Sequence, residues 1–177
     1  MNTLELDEKL ILRMAEGDND AFRDLYEQTS SAVYGFALSI LRNVHDAENV
    51  MHDAYLRIHR SAAAYKPMGK PMAWILTIVR NLCYTKLKSG DICEDISQYE
   101  DLLHVNEGEQ TVDRMVLQKA LDMLPFEDRQ IVVLHALTGM KHREIAQLLK
   151  MPLATVLAKY HRGLKKMRVS LEGIRNE

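Results

Sequence analysis

Two amphipathic segments separated by a four-residue break, Lys141 to Lys150 and Thr155 to Leu171, constrain this chain more than any other feature. Pro152, inside the break, has no backbone N–H to donate, so the first helix must stop near it. Thr155 can then accept from the free amides that open the second. In Arg143-Glu144-Ile145-Ala146-Gln147-Leu148-Leu149, apolar Ile145, Ala146, Leu148 and Leu149 have the spacing of a helix that packs beneath another. At 100° per residue, Val156, Leu157, Tyr160, Leu164, Met167 and Leu171 share one side of the second segment. Thr155, Ala158, Lys159, Arg162, Lys165 and Lys166 share the opposite side, and Lys141 and Arg143 add cations at the start of the first helix. Taken alone, such a cationic side fits a solvated surface helix equally well. Joined to a shorter helix by a specified turn, it has the sequence shape of a helix-turn-helix, which lays its second helix in the DNA major groove.

The remainder of the 177 residues repeats the 3.6-residue period, with eight Gly, four Pro and almost no β-branched alternation, so the expected fold is all-α. Helices are expected near 6–16, 19–42, 46–63, 71–89, 113–123, 126–138, 141–150 and 155–172. The stretch between Ser89 and Val112 has too few spaced apolar residues for a core of its own, which divides the chain into domains at 1–90 and 113–177 joined by a linker at 91–112.

Charge follows the same division. The net charge of −2 conceals 11 Lys or Arg against 11 Asp or Glu in residues 1–90, none against 8 in 91–113, and 12 against 6 in 114–177. A nucleic-acid partner is therefore compatible with an overall acidic chain, because the cations are concentrated in the second domain. No run approaches the roughly 20 apolar residues that span a bilayer, and the first eight residues are acidic where a secretory signal would be basic. A cytoplasmic protein with no membrane insertion is expected. Cys83 and Cys93 lack partners at metal-ligand spacing and read as incidental reduced thiols. His45, His52 and His59 recur every seven residues, about 10 Å apart along a helix, whereas a zinc held by two histidines of one helix needs about one turn. With no phosphate loop, nucleophile elbow or framed carboxylate pair, the chain calls for no cofactor, no metal and no catalytic residue.

Two further faces stand out. On the helix opened by Gly69-Lys70-Pro71, Trp74, Thr77, Arg80, Asn81, Tyr84 and Lys88 lie on one side and Ile75, Ile78, Val79 and Leu82 on the other, with Tyr65, Lys66 and Lys70 in the preceding loop. Rings that stack on unpaired bases, cations that track phosphates and an amide that reads base edges suit single-stranded nucleic acid. The same residues also fit a Trp that caps a small core beside solvated cations. On the preceding helix, Ala47, Val50, Met51, Ala54 and Ile58 make a buried stripe, while Asn49, His52, Asp53, Leu56 and Arg60 share the far side. That far side is either plain surface or a docking face with a small apolar centre.

In their order and spacing, several stretches resemble the extracytoplasmic-function (ECF) group of bacterial RNA polymerase sigma factors. They are Ala21 to Tyr26, Ala47 to Arg57, Ala73 to Asn81, Leu121 to Pro125 with Arg129, Arg143 to Ala146, and Pro152 to Val156. The resemblance implies a factor that binds core RNA polymerase and directs promoter-specific initiation; a stand-alone helix-turn-helix regulator is the alternative. It further implies that the loop and helix from Tyr65 to Lys88 melt and read the minus-ten element, with Asn81 at a base-reading position. The helix from Thr155 would read the minus-thirty-five element. Glu48, Asn49, His52, Asp53, Leu56 and Arg60 would dock on the polymerase clamp, and the acidic linker would lie in channels of the core enzyme. Promoter DNA, core polymerase and an anti-sigma factor are the implied partners. The chain departs from the family pattern at Asn49, where Asp is usual, and at His52, where Gln is usual. It also departs at Lys150 and Ala154, where Gly is common, and at Leu157-Ala158, in place of a more polar pair.

Overall fold

The computed structural model describes residues 6–89 and 119–174, and all regular structure among them is helical. The acidic linker, Cys93 and the first part of the helix expected at 113–123 lie outside the described residues. Helix α1 spans Lys9–Ala15, α2 Asn19–Leu41, α3 Val44–Ser61 and α4 Pro71–Ser89, with a 3-10 turn at Ala62–Ala64. After a helical end at 119–122 come α5 (Phe126–Thr138), α6 (His142–Leu149) and α7 (Leu153–Ile174).

Local chemistry sets these boundaries. Asp18 caps α2 by accepting from the amides of Asp20 and Ala21, and Arg13 clamps the same carboxylate at 2.6 Å. Asn43 caps α3 through the Asp46 amide. Helix α5 follows Pro125, carries Glu127 and Asp128 in its first turn where the helix dipole favours anions, and stops at Gly139, whose φ of +66° glycine adopts without strain. Helix α6 stops at Lys150, at φ +55°, so the bend between the two helices is left-handed on a residue with a Cβ, at a cost of order 1 kcal/mol. Helix α7 begins two residues before the sequence suggests. Its hydrogen-bond ladder begins with the Val156 amide donating to the Pro152 carbonyl, so Thr155 sits within the first turn and does not cap it.

Helices α1 to α4 close around Ile11, Leu25, Phe36, Ile40, Ile58, Ile75 and Leu76, all essentially without solvent exposure. The second half does not stand apart from this core. Ile131, Leu134, Ile145, Leu148, Leu149 and Val156 continue the same apolar cluster, because α5 lies along α2. Gly35 makes that approach possible: Leu137 of α5 occupies the space where a Cβ would stand. At the margins, the Arg42 guanidinium donates to the Asp122 carbonyl at 3.0 Å, the Tyr84 and Phe126 rings meet edge to face, and Lys70 Nζ reaches Gln147 Oε1 at 3.4 Å. An alanine at Gly35 would displace only the flexible end of Leu137, whereas Gly35→Trp would push α5 away from α2. The expected outcome is an increased radius of gyration in small-angle scattering with unchanged helical content.

Candidate nucleic-acid interface

The loop ahead of α4 is organised by a residue far away in sequence. Glu8 Oε1 accepts from the Tyr65 hydroxyl at 2.5 Å, the Met68 amide at 2.8 Å and the Gly69 amide at 3.0 Å. The Tyr65 bond, with the two amide bonds, outweighs desolvation and holds the Glu8 carboxyl below its ordinary value. Tyr65, which the sequence places among the single-strand contacts, is buried, and its ring packs at a tilt 4.9 Å from Trp74. Trp74 is thus half-buried, supported by the Tyr65 ring and packed against the core. Lys66 and Lys70 in the loop and Thr77, Asn81 and Lys88 along α4 are exposed, and the Arg80 guanidinium lies 4.5 Å over the Tyr84 ring. Opposite this face, Ile75 and Val79 are fully buried.

Helix α3 divides much as its sequence suggests. Ala47, Val50, Ala54 and Ile58 are buried, joined by Tyr55, whose hydroxyl pairs with Thr29 at 2.7 Å. Asn49, His52, Asp53 and Arg60 are exposed around Leu56, which keeps 44% of its surface, while Glu48 is half-buried. The N-terminal end of α3 is tied to α4 by an ion pair between buried Asp46 and Lys86 at 2.9 Å.

Helix α7 is rolled about 50° from the orientation that its apolar residues suggest, taking 100° per residue. Val156, Gly163 and Met167 form its buried line, whereas Leu157 and Leu164, expected in the core, are 36% and 40% exposed. Two contacts set the roll. Gly163 lies against Val132 of α5, so close that an added Cβ would stand 3.0 Å from Val132 Cγ2. Beside it, Asp128, with no solvent exposure, receives Arg162 on both oxygens at 2.7 and 2.8 Å, and Lys159 bridges to Glu127 at 2.7 Å. Arg162 holds the Asp128 carboxyl below the usual carboxylate range. Of the polar side predicted for α7, Thr155, Lys159 and Arg162 therefore turn toward α5, and exposed Lys166 lies along the same side with its charge felt at Asp128, while Ala158 and Lys165 remain outward with Lys141 and Arg143 of the preceding segment.

Models of two sigma-70 segments match the chain: region 2 over residues 25–91 and region 4 over 114–167. The ECF RNA polymerase sigma factor SigK of Mycobacterium sp. (strain KMS) is 30% identical over 182 aligned positions, which cover 94% of this chain and 90% of that protein. The chain belongs to the ECF RNA polymerase sigma factors. SigW of Bacillus subtilis is 25% identical, with 94% and 97% covered. Two solved structures share the fold. CnrH, in complex with the cytosolic domain of CnrY, has a TM-score of 0.66 at 22% identity, with 94% of this chain and 97% of that one covered. RpoE of Bartonella quintana, in complex with the anti-sigma factor NepR, has a TM-score of 0.69 at 18% identity, with 85% and 96% covered. As an ECF sigma factor, the protein binds core RNA polymerase and directs promoter-specific initiation of transcription.

Two groups that support or belong to the helix-turn-helix of this sigma factor escape sequence reading. Asp128 is one acid among several in the first turn of α5, and only the packing reveals its two cationic partners 31 and 34 residues away. His142 stacks on His135 at 4.6 Å beneath Tyr160, and its Nε2 is buried without a hydrogen-bond partner among the described residues. Burial, then the charges of His135 and His161, keep the His142 pKa below the ordinary 6.5. The unfolded chain therefore binds this proton more readily than the folded one. The contribution to stability is fully present above about pH 6.5 and is lost as pH falls toward the folded value. Thermal melts should show stability declining from pH 7.5 to 5.5, with a shallower decline in His142→Phe. Asp128→Ala should lower the stability of the second half by about 2 kcal/mol in urea titrations, since it strips a buried acceptor from its donors.

Proposed function

We propose that residues 1–90 dock on the polymerase and open the minus-ten element, that residues 91–112 form the connecting linker, and that residues 113–177 read the minus-thirty-five element. In this reading Trp74 stacks on an unpaired base and Asn81 reads a base edge. Lys66, Lys70, Thr77, Arg80, Tyr84 and Lys88 follow the displaced strand, and Tyr65 supports Trp74 from beneath. The observation that carries the reading is the outward face of α4, where ring, cation and exposed amide adjoin a loop already ordered by Glu8. Helix α7 enters the major groove with Ala158 outward and Lys165 and Lys166 near phosphates. Lys141 and Arg143 contact the backbone from the preceding segment. Lys159 and Arg162 hold α7 in position, with Thr155 half-buried on the same side, although a strand passing along that side could still draw on the two charges.

The mixed face of α3, with Leu56 at its centre and Glu48, Asn49, His52, Asp53 and Arg60 around it, docks on core polymerase. The chain has no turnover of its own and needs no cofactor, and it works in the cytoplasm beside the polymerase. An anti-sigma factor restrains it, as the structural neighbours bound to CnrY and to the anti-sigma factor NepR suggest. None of the helices described is long and apolar enough to cross a membrane.

The test is reconstitution: the purified chain added to core polymerase should yield transcription from a cognate promoter, and absence of any binding to core would overturn the proposal. Leu56→Asp should weaken core binding by about tenfold or more. Lys166→Ala should reduce the slope of log affinity against log salt by about 0.9, as one phosphate contact is lost; an unchanged slope would remove Lys166 from the interface.

A further inference from the structure

We infer that α7 reads its duplex element through the 5-methyl groups of thymine, using Ala154, Leu157 and Ala158, and not through hydrogen bonds to base edges at those positions. The inference rests on the assignment of α7 to the minus-thirty-five major groove.

A recognition helix meets base edges with its N-terminal turns. The roll of α7 decides which side chains those turns present. At their outward positions stand Ala154, Leu157 and Ala158, all exposed, and none carries a side-chain donor or acceptor. The polar residues of the same turns face elsewhere: Thr155 is half-buried on the α5 side, Lys159 is held by Glu127, and Arg162 is held by Asp128. Side-chain hydrogen bonding on the outward face begins only at His161, about 10 Å along the helix from Ala154.

Guanine is read by Arg or Lys, and adenine by Asn or Gln, and the outward side of these first turns has none of the four. The apolar group that a base pair offers in the major groove is the thymine methyl, and alanine-sized or branched apolar side chains are what contact it. Charge identifies the occupant of this apolar patch as duplex DNA. It is flanked by exposed Lys141, Arg143 and Lys150 on the side of α6 and by Lys165 and Lys166 further along α7, so that phosphates are met on both sides of the methyl-reading surface.

The experiment uses holoenzyme assembled from the full chain and core RNA polymerase. Promoter duplexes randomised through the minus-thirty-five element are first selected for binding. In a selected duplex, each thymine of the element is then replaced by deoxyuridine, which pairs identically and lacks only the methyl. The selected element should contain thymines, and loss of each contacted methyl should lower affinity about fourfold, equivalent to about 0.8 kcal/mol for one buried carbon group. Leu157→Ala, at an exposed position, should abolish the dependence at one or two of these thymines. Equal affinity for the thymine and uracil duplexes, or a selected element without thymine, would overturn the inference while leaving minus-thirty-five recognition intact. Selection with no preference in that element, despite holoenzyme formation, would overturn the groove assignment itself.

Discussion

The bidentate pair between Arg162 and Asp128 governs what the second half of the molecule can present to a partner. Asp128 is fully buried at the start of α5, where the helix dipole and two cations of α7 stabilise its charge. A carboxylate in such a place needs its partners, because an unpaired buried charge is among the costliest defects in a fold. The pair therefore acts as a rotational stop: α7 can roll only as far as Arg162 and Lys159 can reach. Gly163, packed on Val132, supplies the close approach that brings them within reach. Which side chains face outward follows from this stop and not from the hydrophobicity of α7 alone.

The loop before α4 shows the same economy in a different form. One carboxylate oxygen of Glu8 gathers three donors, so the chain between Tyr65 and Gly69 is shaped by α1's approach before any ligand arrives. Tyr65 spends its hydroxyl on that acid and its ring on Trp74. A stacking surface prepared in this way loses less conformational freedom on binding than a free indole would. Both candidate nucleic-acid faces are thus positioned by carboxylates whose oxygens are taken up by partners within the fold.

Much of this was legible in the sequence. Proline, glycine and the 3.6-residue period located α2, α4, α5 and α6 to within a residue or two at each end, and the buried stripe of α3 followed from spacing alone. The roll of α7 was not legible, since Leu157 and Leu164 look like core residues on a helical projection. Hydrophobicity marks which residues prefer burial, but a glycine contact and an ion pair across 34 residues can outvote two leucines. For the same reason Lys159 and Arg162 read as free cations, and Tyr65 as an exposed ring, until Glu127, Asp128 and Glu8 were placed beside them. Glu8 lies 57 residues from Tyr65, a separation over which a single sequence carries no pairing signal.

The packing of α5 on α2 bears directly on how two promoter elements could be held at once. Elements nominally 25 base pairs apart are separated by about 85 Å of duplex at the rise of B-form DNA. In the arrangement described here, Lys70 at the start of α4 and Gln147 of α6 are in hydrogen-bond contact, so the two faces lie far closer together than such elements. The seam is continuous with the core: one apolar cluster runs from α1–α4 into α5, α6 and the start of α7, Leu137 fills the space beside Gly35, and at the margins stand the Arg42 bond to the Asp122 carbonyl, one edge-to-face ring pair and the Lys70–Gln147 contact. A linker over residues 91–112 could extend about 75 Å at most, and each domain adds its own width to that reach. On the proposed assignment of the two faces, simultaneous engagement of both elements requires α5 to leave α2. The buried Asp46–Lys86 and Asp128–Arg162 pairs lie within the halves and not between them, so each half can keep its binding face as the seam opens.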